Sequence, residues 1–585
     1  MPYLRTSQFR PYPSTSFWVT LIMLGLLCRP ALAQVPLVPI PPPFPPERPL
    51  PTEEIKPAPP PSSILPPPPP LPPTKKEPLP LRVFVREVRV AGSTVFTPEE
   101  LAKVTVPYTN RQLTTEDLEA LRLALTKHYI DSGYITSGAI IPDQAVTEGI
   151  ITLQIIEGKL SGIEVEGNKW FLPGYFQDRL ALGAGPPVSI NRLQERMQLL
   201  QETPGIARLN AELRPGVMRG ESVLNVRVAE ADPFKAWLTF DNYLSPTVGA
   251  EHGLITLAHQ SFTGHGDPLS VQYGRSRGVD PQLTARYILP ITPRNTTVMV
   301  EYRKNDFLVV QKEFQFLDIK SKSEIVGITL RHPLYRTLNQ EFALALTGEY
   351  LSNKISSVFS GTEVGGLVNE SISPGSRGGV SRVSSLRFAQ EWVRRSPNQV
   401  IAAFSRFSFG LDVLGATTNS DPSLPDARFF SWLAQAQWAR RLEPWRLQLI
   451  ARVGVQLADG HLFPLEQIAV GGRYSVRGYR ENTLVRDNAV LVSLEARVPV
   501  IPSVLGEDRV LVAAFGDFGR GTNTNADSPD PDALGSLGLG VIWNIMRGSR
   551  FEVYWGVPLD HIPTPGPGGN LQDHGVHLQL FVEVL

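Results

Sequence analysis

The sequence predicts a mainly β protein: a sixteen-stranded transmembrane antiparallel β-barrel preceded by two small α+β domains. Three observations carry this. From about residue 234 to the end, sixteen stretches alternate apolar and polar residues, with no convincing helix among them. Between about 83 and 232 a motif recurs at an offset of 75 residues. After the N-terminal leader no run of 18 apolar residues occurs, so any membrane crossing has to be made by a closed barrel.

At 585 residues the chain exceeds one ordinary domain, and its net charge of zero gives no reason to expect nucleic acid as a partner. Residues 1–33 read as an export signal. Arg5 and Arg10 precede an apolar run from Phe17 to Leu27, and Ala31-Leu32-Ala33 offers a small-residue cleavage site. The single cysteine, Cys28, falls inside this leader, so the mature chain is expected to hold no disulfide and no thiol nucleophile. The nine histidines are scattered without metal-ligand spacing, and no metal or cofactor is expected. Residues 34–82 form a proline-rich arm, with 22 prolines between 35 and 82. Proline lacks the amide donor, so this segment builds neither helix nor sheet and reads as a disordered or polyproline spacer.

The two modules are assigned to residues 83–158 and 159–232. Val88-Arg89-Val90-Ala91-Gly92-Ser93-Thr94-Val95-Phe96 matches Ile163-Glu164-Val165-Glu166-Gly167-Asn168-Lys169-Trp170-Phe171. Each is a short alternating strand ending in a turn signal and an aromatic residue. Thr97-Pro98-Glu99-Glu100 is a capping box with proline at the first helical position. Leu118, Leu121, Leu125 and Tyr129 line one face of the next helix, and Leu193, Met197 and Leu200 one face of its counterpart. Alternating strands near 150–156 and 222–228 close the copies, giving the order strand–helix–helix–strand–strand. Such modules leave sheet edges that can accept a strand from an unfolded partner, or they serve as rigid spacers.

The barrel is assigned to residues 233–585. Its strands are expected to begin near 234, 250, 268, 281, 297, 318, 339, 382, 398, 428, 445, 489, 509, 534, 550 and 575. An even count of roughly ten-residue strands suits an outer-membrane barrel, and closure removes the exposed edges. Between strands eleven and twelve lies a connection at about 461–488, far longer than a hairpin loop. At its centre stands Gly471-Gly472-Arg473-Tyr474-Ser475-Val476-Arg477-Gly478-Tyr479.

This arrangement resembles the two-partner secretion transporters, the haemolysin secretion/activation family of the outer-membrane assembly factor superfamily. The likeness covers about residues 83–585. It implies that the modules are periplasmic polypeptide-transport-associated (POTRA) domains and that the long loop folds into the lumen. The loop would carry a V-R-G-[YF] tetrad, here Val476, Arg477, Gly478 and Tyr479. An F-x-D element on strand thirteen, here Phe515 and Asp517, would meet the tetrad arginine. Val510, Val512 and Ala514 alternate with Phe515 and Asp517, which turns Asp517 inward. Glu495 and Arg497, on the polar parity of strand twelve, are candidates to support the pair from the lumen.

The function so implied is capture of an unfolded exoprotein by the POTRA edges and its export through the barrel. The chain is expected in the outer membrane, in contact with its lipid, as a monomer. No ATP site is visible, so folding of the cargo outside would drive transport. Two features depart from the family's pattern. The proline arm cannot supply a plugging helix, and the C-terminal Leu585 falls on the polar parity where barrels commonly end in lipid-facing phenylalanine. The alternative within the superfamily is an insertase for other barrels, and a passive porin would leave the modules idle. An enzyme is the remaining rival: Gly274-Arg275-Ser276-Arg277-Gly278 fits a nucleophile elbow, but a strand rather than a helix follows it.

Overall fold

The computed structural model describes residues 82–358, 369, 372–443, 445–502, 508–562 and 569–585. The expected leader and, but for Arg82, the proline-rich arm lie outside the described residues.

The first module is built by the helices Pro98–Thr105 and Thr115–Asp131 over a three-stranded sheet. In that sheet Ile150–Ile156 lies between Glu87–Ala91, which runs parallel to it, and Gly138–Ile140, which runs antiparallel. Thr97 and Glu100 close the capping box that the sequence signals. Leu121, Leu125 and Tyr129 are fully buried against Leu153. The second module repeats the plan with helices Pro173–Ala181 and Ile190–Gln201. Its central strand Glu221–Glu230 is flanked by Lys159–Glu166 and Ile206–Pro215.

The repeat has a physical reason. Gly92 and Gly167 both sit at φ +85°, a left-handed conformation that favours glycine, so the strand can turn sharply into the aromatic that enters the core. In each copy a glutamate from the closing strand's end then satisfies the freed amides. Glu157 accepts from the Thr94 amide (2.7 Å), and Glu230 accepts from the amides of Trp170 (2.6 Å) and Phe171 (3.1 Å).

Sixteen antiparallel strands close the barrel. The first eight are Phe234–Asp241, His252–His259, Leu269–Ser276, Val279–Pro290, Thr297–Leu308, Lys320–Arg336, Gln340–Ser356 and Val380–Ser396. The others are Gln399–Leu411, Phe430–Leu442, Leu447–Ala458, Asn488–Ile501, Val510–Thr522, Ala533–Met546, Ser549–Pro558 and Val576–Glu583. Outward positions such as Val490, Leu494, Val498, Leu537, Leu539 and Val541 are exposed and apolar, while inward positions carry Arg387, Gln456, Glu495 and Asp517. This is the pattern of a barrel with lipid outside and polar groups within.

Strand sixteen returns to strand one over five residue pairs, from Gln579↔Asp241 to Glu583↔Trp237. The Asn242 side chain extends this short ladder. Its amide donates to the Val576 carbonyl (2.9 Å) and its oxygen accepts from the Leu578 amide (2.8 Å). Ser276 of the G-x-S-x-G stretch closes a hairpin: its hydroxyl donates to the Val248 carbonyl (2.9 Å) and accepts from the Val279 amide (3.1 Å).

The second module is seated on one rim of the barrel. The Leu172 amide donates to the Gly264 carbonyl (2.8 Å), and Trp170 packs edge-on against Phe234 and His259, with ring centroids 5.9 and 5.5 Å away.

Candidate functional site

The connection between strands eleven and twelve, residues 459–487, enters the lumen and is structured there. Ile468–Val470 pairs with Leu484–Arg486 in a small hairpin whose tip bears the tetrad. Val470, Val476, Tyr479 and Leu484 are buried against Leu433 and Leu534 of the wall.

Two polar anchors fix the base of the loop. Asp487, fully buried, accepts from the amides of Leu462 (2.9 Å) and Thr524 (2.9 Å) and from the Gln467 side chain (2.9 Å). Glu466 takes both outer nitrogens of Arg387 on strand eight, at 3.0 and 2.7 Å, and Arg387 also reaches Glu349 at 2.7 Å.

The tip is held by Arg477, which is 1% exposed. Its Nε and Nη2 donate to Asp517 Oδ2 (2.7 Å) and Oδ1 (2.9 Å), a bidentate pair, and its own backbone amide donates to Asp517 Oδ2 (3.1 Å). Nη1 donates to Glu495 Oε2 (2.5 Å) and Nη2 to Ser493 Oγ (3.2 Å). The guanidinium plane lies 3.6 Å from the centroid of the Phe515 ring, a cation–π contact. The Asp517 carboxylate makes no hydrogen bond but these among the described residues. Glu495, by contrast, is also held by Arg497 (2.5 Å) and by the Tyr554 hydroxyl (3.1 Å).

Gly478 makes this approach possible. It has φ +95°, and a Cβ there would lie 2.9 Å from the backbone of Gly556 on strand fifteen. A Cβ on Gly556 would in turn lie 2.7 Å from Gly478 Cα. Two glycines thus let the loop and wall backbones touch. Tyr479 completes the seat, its hydroxyl donating to the Gly535 carbonyl (2.9 Å) and accepting from the Asp560 amide (3.3 Å). Beside it Arg473 pairs with Glu552 (2.8 Å), stacks 4.0 Å from the Tyr554 ring centroid, and receives Glu481 on its backbone amide (2.6 Å).

All eight residues singled out from the sequence therefore gather at one place. Glu495 does more than support the pair, for it bonds Arg477 directly. Sequence reasoning missed Ser493, Glu552, Tyr554, Gly556 and the Arg387–Glu466 anchor. Parity marks Glu552, Tyr554 and Gly556 as inward on strand fifteen, but nothing local says that they face a loop some 80 residues earlier.

What remains of the lumen beside the loop includes a cavity of about 100 Å³, lined by Arg303, Glu349, Arg387 and Glu466 among others. It has room for a few waters. The site is a buried, multiply bonded fastening between the loop and the wall.

Comparison with known proteins agrees with this picture. The model of the haemolysin secretion/activation protein ShlB/FhaC/HecB matches residues 220–542, more than half of the chain. That of the POTRA domain, ShlB-type, matches residues 83–158. The outer membrane transporter CdiB of Dickeya dadantii (strain 3937) is 25% identical over 409 residues, which cover 68% of this chain and 69% of that protein. The solved structure of CdiB from Escherichia coli superposes with a TM-score of 0.61 at 21% identity, covering 88% of this chain and 92% of that one. BamA from Haemophilus ducreyi lacking POTRA domains 1–3 shares the fold, with a TM-score of 0.53 at 12% identity over 86% of this chain and all of the other.

Proposed function

Because the chain belongs to the haemolysin secretion/activation protein family ShlB/FhaC/HecB, we propose a division of labour in which the POTRA modules receive an unfolded exoprotein by strand addition and the barrel conducts it outward as the Arg477 loop leaves its seat. The protein is an outer-membrane two-partner secretion transporter, with its POTRA modules in the periplasm. Its catalytic inventory is empty by this reading, and it acts as a monomer embedded in outer-membrane lipid.

The observation that carries the loop's part is the double fastening of Arg477. A lumen filled by a pinned loop admits no polypeptide, so passage requires the Arg477–Asp517 pair to open. Removing one partner of such a buried pair costs about 3–5 kcal/mol, a barrier that an incoming chain binding the loop or wall can offset. Folding of the cargo outside supplies the net drive.

Strand addition is supported by the ten-residue edge strand Ile206–Pro215, which pairs on one side only. Its side chains alternate, with Leu209 and Ala211 buried and Arg208, Asn210 and Glu212 exposed. A photo-crosslinker placed in turn at positions 208 to 212 is expected to trap the exoprotein at every second position. Uniform trapping, or none, refutes strand addition at this edge.

The insertase alternative predicts a different phenotype. In cells lacking the chain, the partner exoprotein is expected to fall at least tenfold in the medium, while other outer-membrane barrels keep their levels. A general loss of barrels moves the assignment to an insertase.

A further inference from the structure

A cavity of about 410 Å³ lies where the second POTRA module meets the periplasmic rim of the barrel, and the transport cycle above makes no use of it. Four guanidinium groups line it, each from a different element: Arg179 and Arg196 from the module's two helices, Arg294 from the turn between strands four and five, and Arg336 from the end of strand six. Glu195 is the only carboxylate among the lining residues.

The cations are only partly neutralised, by Asp178 beside Arg179 and by Glu202 and Glu341 near Arg336. Arg179 donates to Asn295 Oδ1 (3.3 and 3.2 Å) and to the Tyr175 carbonyl (3.2 Å), and it lies over the Tyr175 ring at 3.7 Å, so these contacts fix its position while Asp178, with which it forms no ion pair, counters only part of its charge. Burial, and beyond it the nearby Arg336, holds its pKa below the ordinary arginine value. Arg336 reaches Glu341 at 3.4 Å. Arg196 and Arg294 have no ion-pair partner among the described residues.

One side of the remaining wall, on strand six, is apolar and faces outward. Leu334 and Tyr335 line the cavity yet are 57% and 52% exposed. They continue the lipid-facing stripe of Val326, Ile328 and Leu330 along strand six. A basic, concave site with an apolar lip, at the depth where a bilayer's polar groups lie, matches one class of molecule. We propose that this cavity binds an anionic phospholipid of the inner leaflet. The head-group phosphate takes up the guanidinium donors, and the acyl chains run along Leu334 and Tyr335. The lipid then bridges the module to the barrel, since two of its cations come from each side.

The test uses the full chain in neutral detergent and native mass spectrometry. Phosphatidylglycerol is offered against phosphatidylcholine of the same chain length, and inorganic phosphate serves as the soluble probe. Wild type is expected to retain phosphatidylglycerol at least tenfold over phosphatidylcholine. Arg196→Gln/Arg294→Gln is expected to bring that ratio below twofold, each single change cutting it at least threefold, while Arg219→Gln on an exposed hairpin leaves it unchanged. Equal retention of both lipids by wild type, or an undiminished preference in the double and single variants, overturns the proposal. Displacement of phosphatidylglycerol by an equimolar amount of inorganic phosphate also overturns it, since the cavity would then be a site for free anions.

Discussion

Arg477→Ala is expected to cut export of the partner exoprotein at least tenfold while the barrel still assembles. The asymmetry of the cluster gives the reason. Glu495 retains Arg497 and Tyr554 when the Arg477 side chain is gone, but the Asp517 carboxylate loses both of its guanidinium bonds and its only cation, keeps only the backbone amide of residue 477, and stays buried at 5% exposure. Leaving one buried charge unpaired costs about 3–5 kcal/mol, and that cost falls on the seated loop rather than on sixteen mutually paired strands. The loop therefore stays off its seat while the barrel persists, and the transport cycle loses the seated state from which the exoprotein opens it and to which it must return. Asp517→Ala is expected to impair export too, with a milder loss of loop order because Arg477 keeps Glu495. Arg477→Lys tests the geometry: it preserves charge, forfeits the two-pronged bond and the stacking over Phe515, and should fall between wild type and alanine. Measurement needs the exoprotein in the medium and the heat-modifiable mobility of the folded barrel. Normal export by Arg477→Ala or Asp517→Ala, with the barrel intact, sinks the fastening as part of transport.

The strands were legible for a plain reason. A wall between lipid and a polar lumen imposes a period of two on every spanning segment, and the sequence starts at 234 and 297 coincide with Phe234 and Thr297, the others falling within two residues. Short elements escaped. Val83–Val85 with Arg111–Leu113, and the loop hairpin Ile468–Val470 with Leu484–Arg486, have three residues per strand, too few for a period to register. Helix Pro173–Ala181 starts at Leu172 with no side-chain cap, so the usual start signal is missing. At the site, motif and parity bring Arg477 to Asp517, because both lie in recognisable local patterns. They cannot supply Gly556 or Tyr554, whose contacts with the loop arise only once strand fifteen closes onto the same stretch of wall as strands twelve to fourteen.

Gly556→Ala is expected to unseat the loop nearly as fully as loss of Arg477, although it removes no charge and no hydrogen bond. The added Cβ would meet Gly478 Cα and N at 2.7 Å and the Arg477 carbonyl carbon at 2.8 Å, closer than carbon atoms pack. These are backbone atoms that cannot rotate aside. Strand fifteen has no left-handed residue at this point, so alanine suits the strand itself and the conflict falls on the loop. Gly478→Ala would confound two effects, since φ +95° already penalises a side chain. Displacing the tip by even a few tenths of an ångström lengthens the bonds at 2.7 and 2.9 Å that hold Arg477, and the contacts fail together because they share one rigid turn. The readout is thiol labelling of a Val476→Cys background, because Val476 is fully buried and the only native cysteine, Cys28, lies in the segment read from the sequence as an export signal, far from the loop in sequence. Labelling is expected to rise at least tenfold in Gly556→Ala and export to fall with it. Gly348→Ala, where an added Cβ has nothing within 4 Å, should leave both unchanged. Wild-type labelling and export in Gly556→Ala would mean that the contact of two backbones does not seat the loop, and that the Arg477 cluster holds it alone.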